Sequence, residues 1–149
     1  MGFGKLKAYT AEEIEDILID VAGASHSNFY TYDMTDLETL YYYDGSLSVD
    51  MQIYSDCDDA LEDFEDLYYE MIDEFDAGNF DGEYSYGFDG ESGYVVVDGT
   101  LHDGYWNEYS YGGIYLTENT IIIVSADSNS SSAKADVDAV ITALGYPTL

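Results

Sequence analysis

Hydrophobic positions in this chain recur first with a helical period and then largely with a period of two. Ile14, Ile17, Leu18 and Val21 share one helical face, Thr10 and Glu13 supply a capping box, and Gly23 closes the run, which predicts a helix over Ala11–Ala22. Strand-type residues come next: Phe29, Tyr30 and Tyr32, then Leu40 to Tyr43, an Asp44-Gly45 turn, and the alternating Leu47, Val49, Met51 and Ile53. They predict a hairpin with a leading strand. Ser55, with Asp58 three residues on, opens the longest predicted helix, in which Ala60, Leu61, Phe64, Leu67, Tyr68, Met71, Ile72 and Phe75 keep helical spacing to Gly78. From Glu83 the period is two again, with Tyr84, Tyr86 and Phe88 alternating against Glu83, Ser85 and Gly87. Turn residues at Asp89 to Gly93, Asp103-Gly104 and Thr117 to Asn119 divide this half of the chain into a meander ending in the apolar run Ile121 to Val124. After a polar loop, Val137, Val140, Ile141 and Leu144 predict a last helix, with Gly145 as cap and Pro147 as stop.

This order predicts an α+β fold: three helices packed on a mostly antiparallel sheet of about five to seven strands, in a single domain spanning residues 1–149. A chain of this length buries roughly two-thirds of its unfolded surface. One core is expected, with Leu61, Phe64, Leu67, Met71, Ile121, Ile123, Val137, Val140 and Leu144 buried together.

Charge changes the picture more than anything else in the composition. There are 32 Asp and Glu against three Lys and no Arg, a formal net of -29. The lysines are Lys5, Lys7 and Lys134, so Ala8 to Ala133 holds no fixed positive charge, and ion pairing within that stretch is excluded. Hydrophobic residues at 46% and aromatics at 16% separate the chain from disordered acidic tails. Such a surface excludes nucleic acid and anionic membrane as direct partners and admits a basic protein surface or divalent cations. Acidity can also serve solubility, or suit a salty or calcium-rich medium.

Chemistry-bearing motifs are scarce. Cys57 is alone, which rules out an internal disulfide and zinc-type spacing, and it reads as a packing residue. His26 and His102 have no motif around them and read as satisfied histidines rather than bases or ligands. No nucleophile elbow, zinc helix or phosphate-cradling loop is present, and carboxylate pairs are uninformative at this density. The chain is therefore expected to be non-enzymatic and to need no cofactor. No apolar run approaches the roughly 20 residues of a membrane span. The opening Met-Gly-Phe-Gly-Lys-Leu-Lys has no signal-peptide core, and Leu6 stands where myristoylation needs Ser or Thr. These features predict a cytoplasmic chain unless an export segment precedes Met1.

Three groups of residues are candidates for binding. Asp76, Asp81 and Glu83, and separately Asp56, Asp58 and Asp59, are the densest oxygen clusters and weak calcium candidates without EF-hand register. Tyr105, Trp106, Tyr109, Tyr111 and Tyr115 read either as a stacking row for sugars or peptides or as sheet-packing tyrosines. The long helix holds eleven acids between Asp56 and Asp76 without a Lys or Arg, and Asp73, Glu74 and Asp76 lie where the helix dipole disfavours anions. Charge kept against local stability points to use of the charge. Glu62, Asp66, Glu70 and Asp73 would form an outward stripe able to imitate a row of phosphates.

The segment Ile114-Tyr-Leu-Thr-Glu-Asn119-Thr120-Ile-Ile-Ile-Val124 with the helix ending Leu144-Gly145-Tyr146, the Ser55 to Phe64 stretch, and Ala11-Glu12-Glu13 resemble small uncharacterised lipoprotein-type domains of gut Firmicutes. The resemblance implies export behind a lipidated cysteine and carries no activity. The expected function is a secreted or surface-tethered binding domain. The alternative is a cytoplasmic acidic nucleic-acid mimic that inhibits a basic nuclease or DNA-binding protein, of the phage anti-restriction or anti-CRISPR type.

Self-repulsion weakens as the screening length falls from about 10 Å at 0.1 M salt to about 3 Å at 1 M. The melting temperature should therefore rise with NaCl over that range in a thermal scan. Millimolar calcium that raises it no more than magnesium would exclude a specific calcium site.

Overall fold

A computed structural model describes residues 6–102, 104 and 107–149, apart from the His26 side chain. Helix α1 is Ala11–Ala22 with the Thr10 and Glu13 capping box in place, and Gly23 ends it in the left-handed conformation. A 3-10 turn at His26–Asn28 leads into β1 (Phe29–Asp33), β2 (Leu37–Asp44) and β3 (Leu47–Tyr54). Helix α2 (Cys57–Asp76) is next, then β4 (Phe80–Phe88), β5 (Gly93–His102), β6 (Asn107–Thr117) and β7 (Thr120–Ala126), and the chain closes with α3 (Ser131–Leu144). The predicted α+β class and antiparallel sheet are present, with seven strands in the order β1-β2-β3-β7-β6-β5-β4. Every strand pairing is antiparallel.

Helix α2 carries the chain from β3, in the middle of the sheet, to β4 at the far edge. The meander β4 to β7 then runs back until β7 pairs with β3. β7 is thus flanked on both sides, and its residues are buried on both faces. Ile121 faces α2, whereas Ile122 and Val124 face α1 and α3. A short apolar run without alternation is the mark of such a strand.

The single expected core is two cores, one on each face of the sheet. Phe64 and Ile121 are fully buried with Leu116, Val95 and Phe75 on the α2 face. Val137, Val140 and Leu144 lie on the other face with Ile14, Leu18, Leu40, Met51 and Tyr115. A residue period identifies an element's buried side but not which sheet face receives it. Leu61, Met71 and Ile123 are only partly buried, and Leu67 is 37% exposed. Val21 also reaches solvent at the end of α1.

Two glycines set how closely aromatic rings approach the sheet. A Cβ on Gly93 would lie 2.7 Å from the Phe64 ring, and one on Gly113 would lie 2.5 Å from the Tyr115 hydroxyl. Without those side chains, Phe64 rests on β5, and Tyr115 crosses β6 to donate to the Pro147 carbonyl at 2.6 Å.

Asp56, rather than Ser55, caps α2, accepting from the Asp58 amide at 2.7 Å. Cys57 therefore occupies the first helical position and is exposed, not packed as expected. The Asp44-Gly45 turn is displaced by one residue, since Asp44 pairs with Leu47 and the turn consists of Gly45 and Ser46. Among the described residues, no helix is long and apolar enough to cross a membrane.

Candidate functional site

Glu62, Asp66, Glu70 and Asp73 are all exposed on α2, opposite fully buried Phe64. Spacings of four, four and three residues put them along one side of the helix. None has an ion-pair partner among the described residues. Asp63, one residue from the stripe, accepts from the buried Tyr54 hydroxyl at 2.7 Å and ties α2 to β3. Burial and this acidic partner push the Tyr54 phenol up, so it remains a proton donor.

The calcium candidates are dispersed. Asp76 ends α2, whereas strand alternation places Asp81 and Glu83 on the face of β4 away from Tyr84 and Tyr86. Asp56 is occupied in capping. Among the described residues, no group of three or more His, Cys, Asp or Glu is placed to hold a metal ion. His102 is exposed, with its Nδ1 2.5 Å from Asn107 Oδ1.

Three of the five aromatics in the suggested stacking row belong to the fold. Tyr109 donates to Asp98 at 2.7 Å, Tyr111 donates to Asp138 at 2.6 Å, and Tyr115 is fully buried. Tyr105 and Trp106 lie outside the described residues. Lys134 joins this network through Asp98 at 3.0 Å and lies 5.2 Å from the Tyr111 ring centre. Asp98 is thus an acid of the cation-free stretch that does find a lysine, from just beyond its end. Burial works to raise the Asp98 carboxyl, but the Tyr109 hydroxyl and the Lys134 ammonium outweigh it and hold it low.

The least complete part of the molecule is the α2 face of the sheet. Helix α2 crosses it diagonally, from Tyr54 on β3 to Tyr84 on the β4 edge, where Phe75 stacks on Tyr84 at 3.9 Å. Among the described residues, no helix lies above β1, β2 and the outer half of β3 on this side. Asp63, Leu67 and Met71 succeed one another at i, i+4 spacing along the flank of α2. Tyr54 meets the first, and the last lines a cavity of about 190 Å³ with Phe80, Val97, Ile114 and Ile123. Leu67, between them, borders the uncovered sheet, which explains its exposure. Ser110, Ser125 and Glu108 supply the cavity's polar atoms.

Beyond the cavity, strand register sets out a row of side chains: Ile123 on β7, Asp50 on β3, Tyr41 on β2 and Tyr30 on β1. Tyr43 and Tyr32 flank it on the same face, and Tyr30, Tyr32 and Tyr43 are 58%, 63% and 51% exposed. Asp50 is half-buried, and its Oδ1 is shielded from solvent without a hydrogen-bond partner. Burial pushes its carboxyl above the usual range, with the Gln52 amide opposing. Period-two alternation places Asp50 opposite Val49 and Met51, but its missing partner depends on coverage that a single strand does not encode.

No protein-family model, curated protein or solved structure matches this chain.

The folded state holds the Asp50 proton more tightly than the unfolded chain does. Stability is therefore lost as pH rises from the unfolded carboxylate range, about 3.9, through the raised folded value. Asp50→Asn should accordingly raise the urea midpoint at pH 7. The gain should shrink as pH falls towards about 4, where the wild-type carboxyl also becomes neutral.

Proposed function

We propose that this protein is a non-enzymatic binding domain whose ligand site lies on the half-covered α2 face of the sheet. The cavity beneath Met71 carries the reading. Its walls are apolar, and among the described residues its one titratable group is Glu108, beside the hydroxyls of Ser110 and Ser125. Convergent apolar walls with a few polar atoms are the usual form of a ligand pocket. A volume of about 190 Å³ is below the roughly 300–1,000 Å³ of drug-sized sites and near that of engineered cavities that accept benzene. It suits a single ring or a short branched aliphatic group. The resemblance to lipoprotein-type domains supports placement of this binding domain outside the cell.

A neutral single-ring ligand such as toluene tests the cavity without the repulsion that an anionic one meets on a protein of net charge -29. Its heat of binding should titrate to saturation with the wild-type protein, and Ser110→Trp should abolish the signal by filling the rim. No saturable signal, or one untouched by Ser110→Trp, would falsify the reading.

The exposed, unpaired stripe of Glu62, Asp66, Glu70 and Asp73 favours a second reading, the acidic mimic. Helix α2 is about 30 Å long at 1.5 Å per residue, so the eleven acids from Asp56 to Asp76 give about one charge per 3 Å, against one per 1.7 Å of duplex axis. Changing the four to Gln or Asn should leave folding intact and weaken binding to a basic nuclease or DNA-binding protein, with much of its salt dependence lost. Equal neutralisation on β4 to β6 with the same effect would rule this reading out.

A further inference from the structure

We propose that the uncovered tyrosine face of β1, β2 and β3 docks an arginine-bearing segment of a cationic polypeptide, with Asp50 receiving a guanidinium between tyrosine rings. Three observations lead there. The first is chemical precedent within the molecule. Both described lysines settle on tyrosine rings, Lys7 at 4.9 Å from the Tyr9 centre and Lys134 at 5.2 Å from that of Tyr111, and Lys134 adds an ion pair to Asp98. Among the described residues, the open face repeats this set of parts without a cation. Tyr41 stands beside Asp50 in register, and Tyr30 comes after Tyr41 with ring centres 6.5 Å apart.

The second observation is Asp50 itself. A half-buried carboxylate with an unpartnered oxygen is costly where it stands. Two strand spacings of about 4.8 Å separate Asp50 from Tyr30 across the row, within the reach of one extended side chain and its neighbour on a bound peptide. A planar guanidinium serves both groups, because it stacks on an aromatic face while its edge donates to a carboxylate. An ammonium can meet both, as Lys134 does, but as a point charge, without the plane that stacks or the fork that donates twice.

The third is what the charge excludes. A second copy of this chain would bring another net -29 against the face, and nucleic acid or an anionic bilayer would meet the same repulsion. Among the described residues, no fixed cation stands on the face to receive an acidic partner. The exposed acids of α2 stand on the outer side of the adjacent helix and steer a basic partner towards the face. The surface is distinct from the cavity, and its occupant does not depend on the cavity being filled.

The test uses fluorescein-labelled oligoarginine and a matched oligolysine at physiological ionic strength, read by anisotropy on the intact chain. Oligoarginine should bind more tightly than oligolysine. Combined Tyr30→Ser, Tyr32→Ser and Tyr43→Ser leaves net charge unchanged, and should weaken oligoarginine binding about tenfold or more and erase the preference over lysine. Asp50→Asn should also weaken it while raising stability, so its loss of affinity cannot be ascribed to unfolding. Neutralising Glu62, Asp66, Glu70 and Asp73 should lower affinity for both peptides and retain the arginine preference. Ser110→Trp should leave peptide binding unchanged, which separates failure of this proposal from failure of the cavity reading. If the tyrosine variant and Asp50→Asn bind as wild type, or if affinity tracks net charge alone with arginine and lysine equal, the proposal is overturned.

Discussion

A carboxylate packed against protein needs a donor, and this chain has too few cations to provide it. Three lysines cannot serve 32 acids, whereas 17 tyrosines bring a proton donor on an apolar ring. Phenols therefore take the place that ammonium and guanidinium groups hold in most folds. Tyr54 on β3 donates to Asp63 on α2, and Tyr111 on β6 donates to Asp138 on α3. Tyr9, just before α1, donates to the Leu144 carbonyl at the end of α3. Each helix is thus held by at least one phenol whose ring is buried or half-buried and whose hydroxyl reaches an oxygen at the interface. Bonds from a neutral donor to an ionised acceptor are stronger than neutral pairs. Burial, reinforced by the acidic partners, pushes the Tyr54 and Tyr111 phenols up, so both stay protonated and keep donating.

This arrangement explains which parts of the molecule were legible in the sequence. Element positions arise from local signals. The capping box at Thr10, the helical spacing through Phe64 and the alternation at Tyr84, Tyr86 and Phe88 each mark an element without reference to the rest of the chain. The division into two cores is not local. Phe64 and Val137 have the same signature in their helices, yet they pack on opposite faces, because α2 leaves the sheet at its centre and re-enters at its edge whereas α1 and α3 pair on the other side. Leu67 shows the same limit. Its spacing puts it on the apolar side of α2, and only the diagonal course of that helix decides that the sheet below it is open.

The candidate sites were legible to different depths. The stripe from Glu62 to Asp73 could be read directly, since helix geometry and the position of Phe64 fix it. The tyrosines between 105 and 115 were visible as residues but not as roles. Tyr109 and Tyr111 are explained by Asp98 and Asp138, which come from β5 and α3. The open face was invisible, because Tyr30, Tyr41 and Asp50 belong to three strands and meet only through the registers Tyr30 to Tyr41 and Tyr41 to Asp50.

Asp50 shows how the shortage of cations links stability to the proposed site. Its neighbours on β3 in the other direction, Val49 and Met51, are fully buried, so the strand cannot shift by one residue to release the carboxylate without exposing both. The strand is held in register by its apolar side, and Asp50 is carried into a half-buried position as a consequence. At two other such positions the carboxylate is met by a tyrosine hydroxyl, as half-buried Asp98 and Asp138 are. At Asp50 the nearby tyrosine, Tyr41, is a cross-strand neighbour, and one oxygen remains without a partner. A fold that satisfies half-buried Asp98 and Asp138 with phenols but leaves one oxygen of Asp50 without a partner retains a defect that an asparagine would relieve. Retention of such a defect beside the uncovered stretch of sheet is what a binding surface requires, because the missing interaction is then completed by the partner rather than by the chain.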